Sequence, residues 1–151
     1  MVYDVLNAYL ENGLKIVVHK IKDAKTVACG LWIHQGSVNE TDENNGLSHL
    51  VEHLMLNAAN EQRQEYQKLM NEVSSQGVIY NAVTTKEYTC FHYTGLPRTI
   101  NLCLQCLASI AKDKQYFPPD FFQKEKQVVL QEAISYYSSF QQIKERTSQA
   151  L

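Results

Sequence analysis

The sequence predicts an α+β fold in which a mostly antiparallel sheet carries helices packed on one side, and three observations lead there. Runs rich in strand formers alternate irregularly with runs of helical apolar spacing. Glu11-Asn12-Gly13 is a turn signal set against a strand-forming run, the mark of an antiparallel hairpin. No repeat, low-complexity tract or Gly/Ser-rich linker interrupts the 151 residues, so one compact domain is expected over residues 1–151.

In chain order, residues 9–21 form the hairpin, because Leu14-Lys15-Ile16-Val17-Val18 follows the turn. Residues 26–34, with Val27, Ala28, Leu31, Trp32 and Ile33, read as a buried strand that ends at Gly36. After the loop residues Asn45 and Gly46, Leu47, Leu50, Leu54 and Met55 make an apolar stripe that would bury one face of a helix. Tyr66, Leu69, Met70 and Val73 predict a second helix over 63–75, closing at Gly77. Residues 79–93 alternate like a strand through Val83, Tyr88, Cys90, Phe91 and Tyr93. Proline suits a first helical turn, so Pro97 opens a helix to about Ala111 and Pro118-Pro119 a longer one to about Tyr137.

Fourteen basic against sixteen acidic residues give a net charge of −2, and no lysine-arginine run recommends a nucleic acid as partner. Residues 1–10 include Asp4 and Asn7 and lack a positive cluster followed by an apolar core, so neither a secretory signal nor a membrane span is expected and the default location is cytoplasmic. Cys29, Cys90, Cys103 and Cys106 suit that compartment as free thiols. Cys103 and Cys106 form a single C-x-x-C, a weak metal or redox signal, inside an apolar helical run that favours core packing.

The chemistry concentrates in His49-Leu50-Val51-Glu52-His53. Residues three and four apart share a helix face, so both imidazoles and the carboxylate project into one small volume. Two histidines at this spacing supply two of the three protein ligands of a catalytic zinc, and the glutamate can take a proton from water at the metal. This order, H-x-x-E-H, is an inverted metallopeptidase motif. With 5 His and 11 Glu in the chain, an accidental match is expected about once in a hundred such sequences. Imidazoles and a carboxylate on a buried face also need partners or a metal.

A third ligand must come from elsewhere. Glu125 and Glu132 stand seven apart, two helical turns, so they share a face with Val128 and Val129 between them. For an arbitrary helix a solvated glutamate edge is the commoner reading, but a metal site short of one ligand reverses the preference. Glu132 is taken as a buried ligand in line with that apolar stripe and Glu125 as its support, although spacing alone does not rank the two.

Gly36-Ser37, Glu40, Asn45 to Leu54, Asn81-Ala82 with Thr84, Glu87 and Thr89, and 125–132 together resemble the pitrilysin and mitochondrial processing peptidase family of inverted-motif zinc peptidases. The resemblance runs from about Tyr9 to the end, with the motifs in the family's order. It implies the metallohydrolase fold shared by LuxS and the mitochondrial processing peptidases. It implies one Zn2+ per chain on His49, His53 and Glu132, with Glu52 as general base and Glu125 as supporting acid. It further implies that Tyr80, Asn81, Ala82, Val83 and Thr84 form a sheet edge on which the substrate peptide is laid, with Asn81 near the active site. An edge strand suits that role because its unpaired backbone groups grip an extended peptide whatever its side chains.

Family members are usually several times longer, with a second half, fused or separate, that closes over the zinc. The expectation is therefore a domain incomplete at its C-terminus that needs the missing portion or a homologous second subunit, as homo- or heterodimer. The expected activity is zinc-assisted hydrolysis of peptides or precursor leaders. Two alternatives stand beside it. One is a non-catalytic subunit that binds peptide; such subunits typically lose zinc ligands, and every one is kept here. The other is a lyase of the S-ribosylhomocysteine type, whose third ligand is a cysteine well after the motif, whereas no cysteine follows Cys106.

Overall fold

The computed structural model describes residues 4–57, 63–111 and 116–149, with side chains to residue 141. Strands β1 (Asp4–Tyr9) and β2 (Lys15–Lys20) pair antiparallel as a two-stranded sheet of their own. Their turn lies where the sequence placed it, with the Gly13 N–H donating to Leu10 O (2.9 Å) and the Leu14 N–H to Asn12 Oδ1 (3.1 Å). The first strand, however, precedes Tyr9 rather than starting there. Asp4, Asn7 and Ala8 are poor strand formers, so this segment becomes a strand by pairing with β2.

A second, three-stranded sheet holds β3 (Val27–Ile33), β4 (Ile79–Thr84) and β5 (Thr89–Gly95) in the order β3-β5-β4, antiparallel throughout. The single strand expected over 79–93 is thus two, joined by a tight turn. The Thr85 N–H donates to Tyr88 O (2.8 Å), while the Glu87 and Tyr88 N–H groups donate to Thr85 Oγ1 (3.3 and 3.1 Å). A threonine hydroxyl organises this turn without glycine or proline, which is why a search for turn residues passes over it.

Four helices follow the expected order: α1 (Leu47–Leu56), α2 (Gln64–Ser75), α3 (Ile100–Ala111) and α4 (Pro119–Gln149). Pro97 lies in a short 3-10 turn just before α3. Helix α4 passes well beyond Tyr137, because no glycine or proline stops it. The Ser135, Ser138 and Ser139 hydroxyls donate to carbonyls one turn back, to Gln131, Ile134 and Ser135.

The core lies between one face of the three-stranded sheet and the helices. Cys29, Leu31, Ala82, Phe91 and Tyr93 meet Tyr66, Met70 and Val73 of α2 and Leu102, Cys103, Cys106, Leu107 and Ile110 of α3. Strand alternation sends Trp32, Ile79 and Val83 to the opposite face, where Trp32 is 64% exposed, so helices do cover only one side. Strand β3 is therefore half-buried rather than buried. The C-x-x-C thiols pack at the centre of the core. Burial pushes the Cys29 thiol up to about 12 and Cys106 to about 11, which keeps both protonated and inert. The two buried phenols satisfy each other, Tyr66 Oη lying 3.2 Å from Tyr93 Oη.

The connection from β3 to α1 is pinned to the β4–β5 turn by Ser37 and Val38 N–H groups donating to Thr85 O (3.2 Å) and Lys86 O (2.8 Å). Glycine is required at 36, because a Cβ there would run into the backbone of Thr85 and Lys86. Among the described residues no helix is long and apolar enough to cross a membrane.

Candidate metal centre

Helix α1 carries the motif, and side chains outside it hold both of its ends. Gly46, left-handed at φ 88°, turns the chain into the helix. The Glu40 carboxylate then receives the Gly46 N–H at Oε2 (2.8 Å) and the Ser48 N–H at Oε1 (2.6 Å), placing an anion on the positive end of the helix. Burial alone would raise the Glu40 pKa, but donation from the Ser48 backbone and hydroxyl and from the Gly46 N–H outweighs it and lowers it overall. At the other end Arg63 Nη1 donates to Met55 O (2.6 Å) and Leu54 O (3.3 Å), while its guanidinium stacks on the Tyr66 ring at 4.0 Å.

Glu40→Gln is expected to destabilise the protein by about 1 kcal/mol at neutral pH, the usual cost of weakening a helix cap. A carboxylate with a lowered folded pKa contributes stability above its unfolded pKa and loses it as the pH falls through the folded value. The difference between wild type and variant should therefore shrink on acidification. Denaturant unfolding across that range checks it.

On the face of α1 toward α4, three ligand atoms converge. His49 Nε2 lies 3.2 Å from His53 Nε2, and Glu132 Oε2 lies 3.5 Å from the first and 3.4 Å from the second. A tetrahedral zinc with bonds of about 2.0–2.1 Å holds its ligands about 3.3–3.4 Å apart, so the donor set fits that ion. Among the described residues this is the one group of three His, Cys, Asp or Glu side chains close enough to hold a metal. Glu132 is about half exposed, at 52%, rather than buried as its apolar neighbours suggested, and Leu47 of the expected stripe is exposed too. The cluster is open to solvent, as a site with a vacant coordination position for water and substrate needs to be.

The buried carboxylate of α4 is Glu125, 4% exposed. Its Oε2 stands 3.6 Å from His53 Nδ1, and its Oε1 accepts a hydrogen bond from Asn57 Nδ2 (2.8 Å). A carboxylate on that side favours the tautomer with the proton on Nδ1, which leaves the Nε2 lone pair free to bind a metal. The structure therefore separates the two glutamates that spacing could not: Glu132 reaches the Nε2 atoms, Glu125 the back of His53. Asn57 was missed by the sequence reading. It stands one turn past His53 on the same face of α1, which was the available signal.

Glu52 points from α1 toward the sheet, is 7% exposed, and accepts a hydrogen bond at Oε2 from Thr84 Oγ1 (2.5 Å). Among the described residues strand β4 lies at an edge of its sheet. Alternation divides the five expected substrate-strand residues: Tyr80, Ala82 and Thr84 face the helices, whereas Asn81 and Val83 face the open side. Asn81 does not join the metal group; its Oδ1 accepts from the Ala82 N–H (2.9 Å), covering a backbone donor of the edge strand.

The family model described as Insulinase (Peptidase family M16) matches residues 15–150. The chain belongs to this peptidase family. Its relatives include a probable mitochondrial-processing peptidase subunit beta of Arabidopsis thaliana, 32% identical over 82% of this chain and 23% of that protein. An uncharacterized zinc protease, YmxG, of Bacillus subtilis is 34% identical over 83% of this chain and 30% of its own length. Cytochrome b-c1 complex subunit 1 of Bos taurus is 31% identical over 82% and 25%. Among solved structures, a protease from Helicobacter pylori superposes with a TM-score of 0.74 at 24% identity, over 87% of this chain and 31% of that one, and so shares the fold. The chain thus spans 23% to 31% of the length of these four proteins.

Proposed function

We propose that this chain is the metal-binding part of a zinc metalloendopeptidase that cleaves peptides or precursor leaders, and that it works with a further portion or a second subunit. The observation that carries the proposal is the convergence of His49, His53 and Glu132 at separations of 3.2 to 3.5 Å, on the helix that also carries the buried Glu52. In this reading the three converging residues hold zinc, Glu52 is the general base and Glu125 positions His53. Bound there, the ion supplies Lewis acidity toward a scissile carbonyl and acidifies water to a pKa of about 7. Glu52 takes the proton of the attacking water and passes it to the leaving amine. The edge strand β4 offers its backbone to an extended peptide, which places the peptide beside the strand that also carries Thr84. A cytoplasmic location belongs to the same proposal.

A non-catalytic subunit is the second reading, favoured by a relative named as a cytochrome b-c1 complex subunit rather than a peptidase. The full metal donor set with an adjacent carboxylate supports the enzyme instead. A carboxylate third donor also sets the site apart from a lyase whose third ligand is a thiol. The test is hydrolysis of internally quenched peptides by the full-length gene product with its partner, before and after stripping with a chelator and again after zinc is returned. Loss and recovery of cleavage are expected. Cleavage that survives complete metal removal, or a zinc-loaded complex that cleaves nothing, overturns the proposal.

A further inference from the structure

The buried Glu52 carboxylate has one hydrogen-bond partner among the described residues, and it lies on the edge strand rather than on its own helix. Thr84 Oγ1 donates to Glu52 Oε2 at 2.5 Å, a charge-assisted contact across 32 residues of sequence. Behind it stands a second hydroxyl: Thr89 Oγ1 lies 3.2 Å from Thr84 Oγ1 and donates its single proton to Gln35 O (2.9 Å). Thr84 could turn its own proton to Thr89 or to Glu52. The shorter contact to a carboxylate wins over the longer one to a neutral hydroxyl, so the Thr84 proton points at Glu52. Gln35 is tied back to α1 through its Nε2, which donates to Ser48 Oγ (3.3 Å). The two threonines face each other across the β4–β5 pair, Thr84↔Thr89, so the register of the hairpin sets the position of the hydroxyl.

We propose that Thr84 is a positioning residue for the base: its hydroxyl fixes Oε2 of Glu52, leaving Oε1 to face the water, and ties the base to the strand on which the peptide is laid. This rests on the peptidase reading of the site. The effect should fall on turnover more than on peptide binding, because the gripping groups of an edge strand are backbone and the Thr84 hydroxyl is turned to the helix side. A misplaced catalytic group can cost about 100-fold in rate, so a loss of about 10- to 100-fold in kcat is expected for Thr84→Val, with KM within about twofold of wild type. Valine keeps the β-branched shape of the strand and removes only the donor. Thr84→Ser returns a hydroxyl and should restore kcat to within a few-fold.

The experiment has two arms. Steady-state kinetics of the zinc-loaded, full-length enzyme are measured for wild type, Thr84→Val, Thr84→Ala and Thr84→Ser, with zinc content and thermal unfolding checked for each; the alanine variant serves if the valine packs poorly. Crystal structures of the metal-free wild type, Thr84→Val or Thr84→Ala, and Thr84→Ser then report the Glu52 carboxylate directly. A carboxylate held in wild type and the serine variant but displaced in the others, with kcat lost and zinc retained, supports the proposal. A carboxylate that stays in place without the hydroxyl overturns it, as does an active wild type with unchanged kcat in the valine and alanine variants. If the wild type itself cleaves no peptide, the peptidase reading fails, while the metal-free structures still decide whether Thr84 places Glu52.

Discussion

Replacing Glu52 by glutamine is expected to leave fold and zinc content intact and to lower peptide hydrolysis by about 10²–10⁴-fold or more. The amide keeps the shape of the side chain, and its oxygen can still accept the Thr84 proton that Glu52 Oε2 accepts now. What it loses is basicity, so it cannot take a proton from the attacking water. Because Glu52 is only 7% exposed, removing its charge also relieves a desolvation cost, and the variant should be at least as stable as wild type. Turnover of the Glu52→Gln enzyme, measured beside its zinc stoichiometry and melting temperature, separates chemistry from structure. Near-normal turnover would assign the base to another group.

The His49→Ala, His53→Ala double variant is expected to fall from one zinc per chain to background. These two imidazoles provide two of the three converging donors, and the remaining one, Glu132, is half exposed and cannot hold the ion alone. Glu132→Gln should weaken binding without abolishing it. Glu125→Gln should cost about 10- to 100-fold in zinc affinity, because the carboxylate that orients His53 from behind is lost while the histidine remains. Elemental analysis after gel filtration, followed by competition with a chelator, ranks the variants. Stoichiometric zinc surviving in the double variant would sink the assignment of the site. Since a metal that binds only the folded state stabilises it, zinc is expected to raise the melting temperature of the wild type and not that of the double variant.

Two of the departures from the expected secondary structure share a cause. The break between β4 and β5 is made by the Thr85 hydroxyl, and the strand identity of β1 by pairing with β2; neither leaves a mark in local composition. Helix α4 also runs past its expected end near Tyr137, since no glycine or proline stops it and its serines bond back to their own helix. Burial misled in a different way. An apolar stripe beside Glu132 suggested a buried ligand, whereas the buried acid is Glu125 and Glu132 stands half in solvent.

What the sequence determined by itself is what helical geometry carries locally. Residues four apart share a face whatever surrounds them, so the pairing of His49 with His53 was legible before any fold was known, as was the shared face of Glu125 and Glu132, whereas the turn of Glu52 toward Thr84 was not. Membership in a peptidase family likewise follows from the sequence alone, over residues 15–150. Everything that depends on which elements meet was decided by tertiary structure: that Glu132 rather than Glu125 reaches the imidazole Nε2 atoms, that Asn57 holds Glu125, and that Glu40 and Arg63 clamp the two ends of α1. The contact between Thr84 and Glu52 belongs to the same class. It joins a strand to a helix 32 residues away, and no periodicity along either element encodes the packing that brings them together.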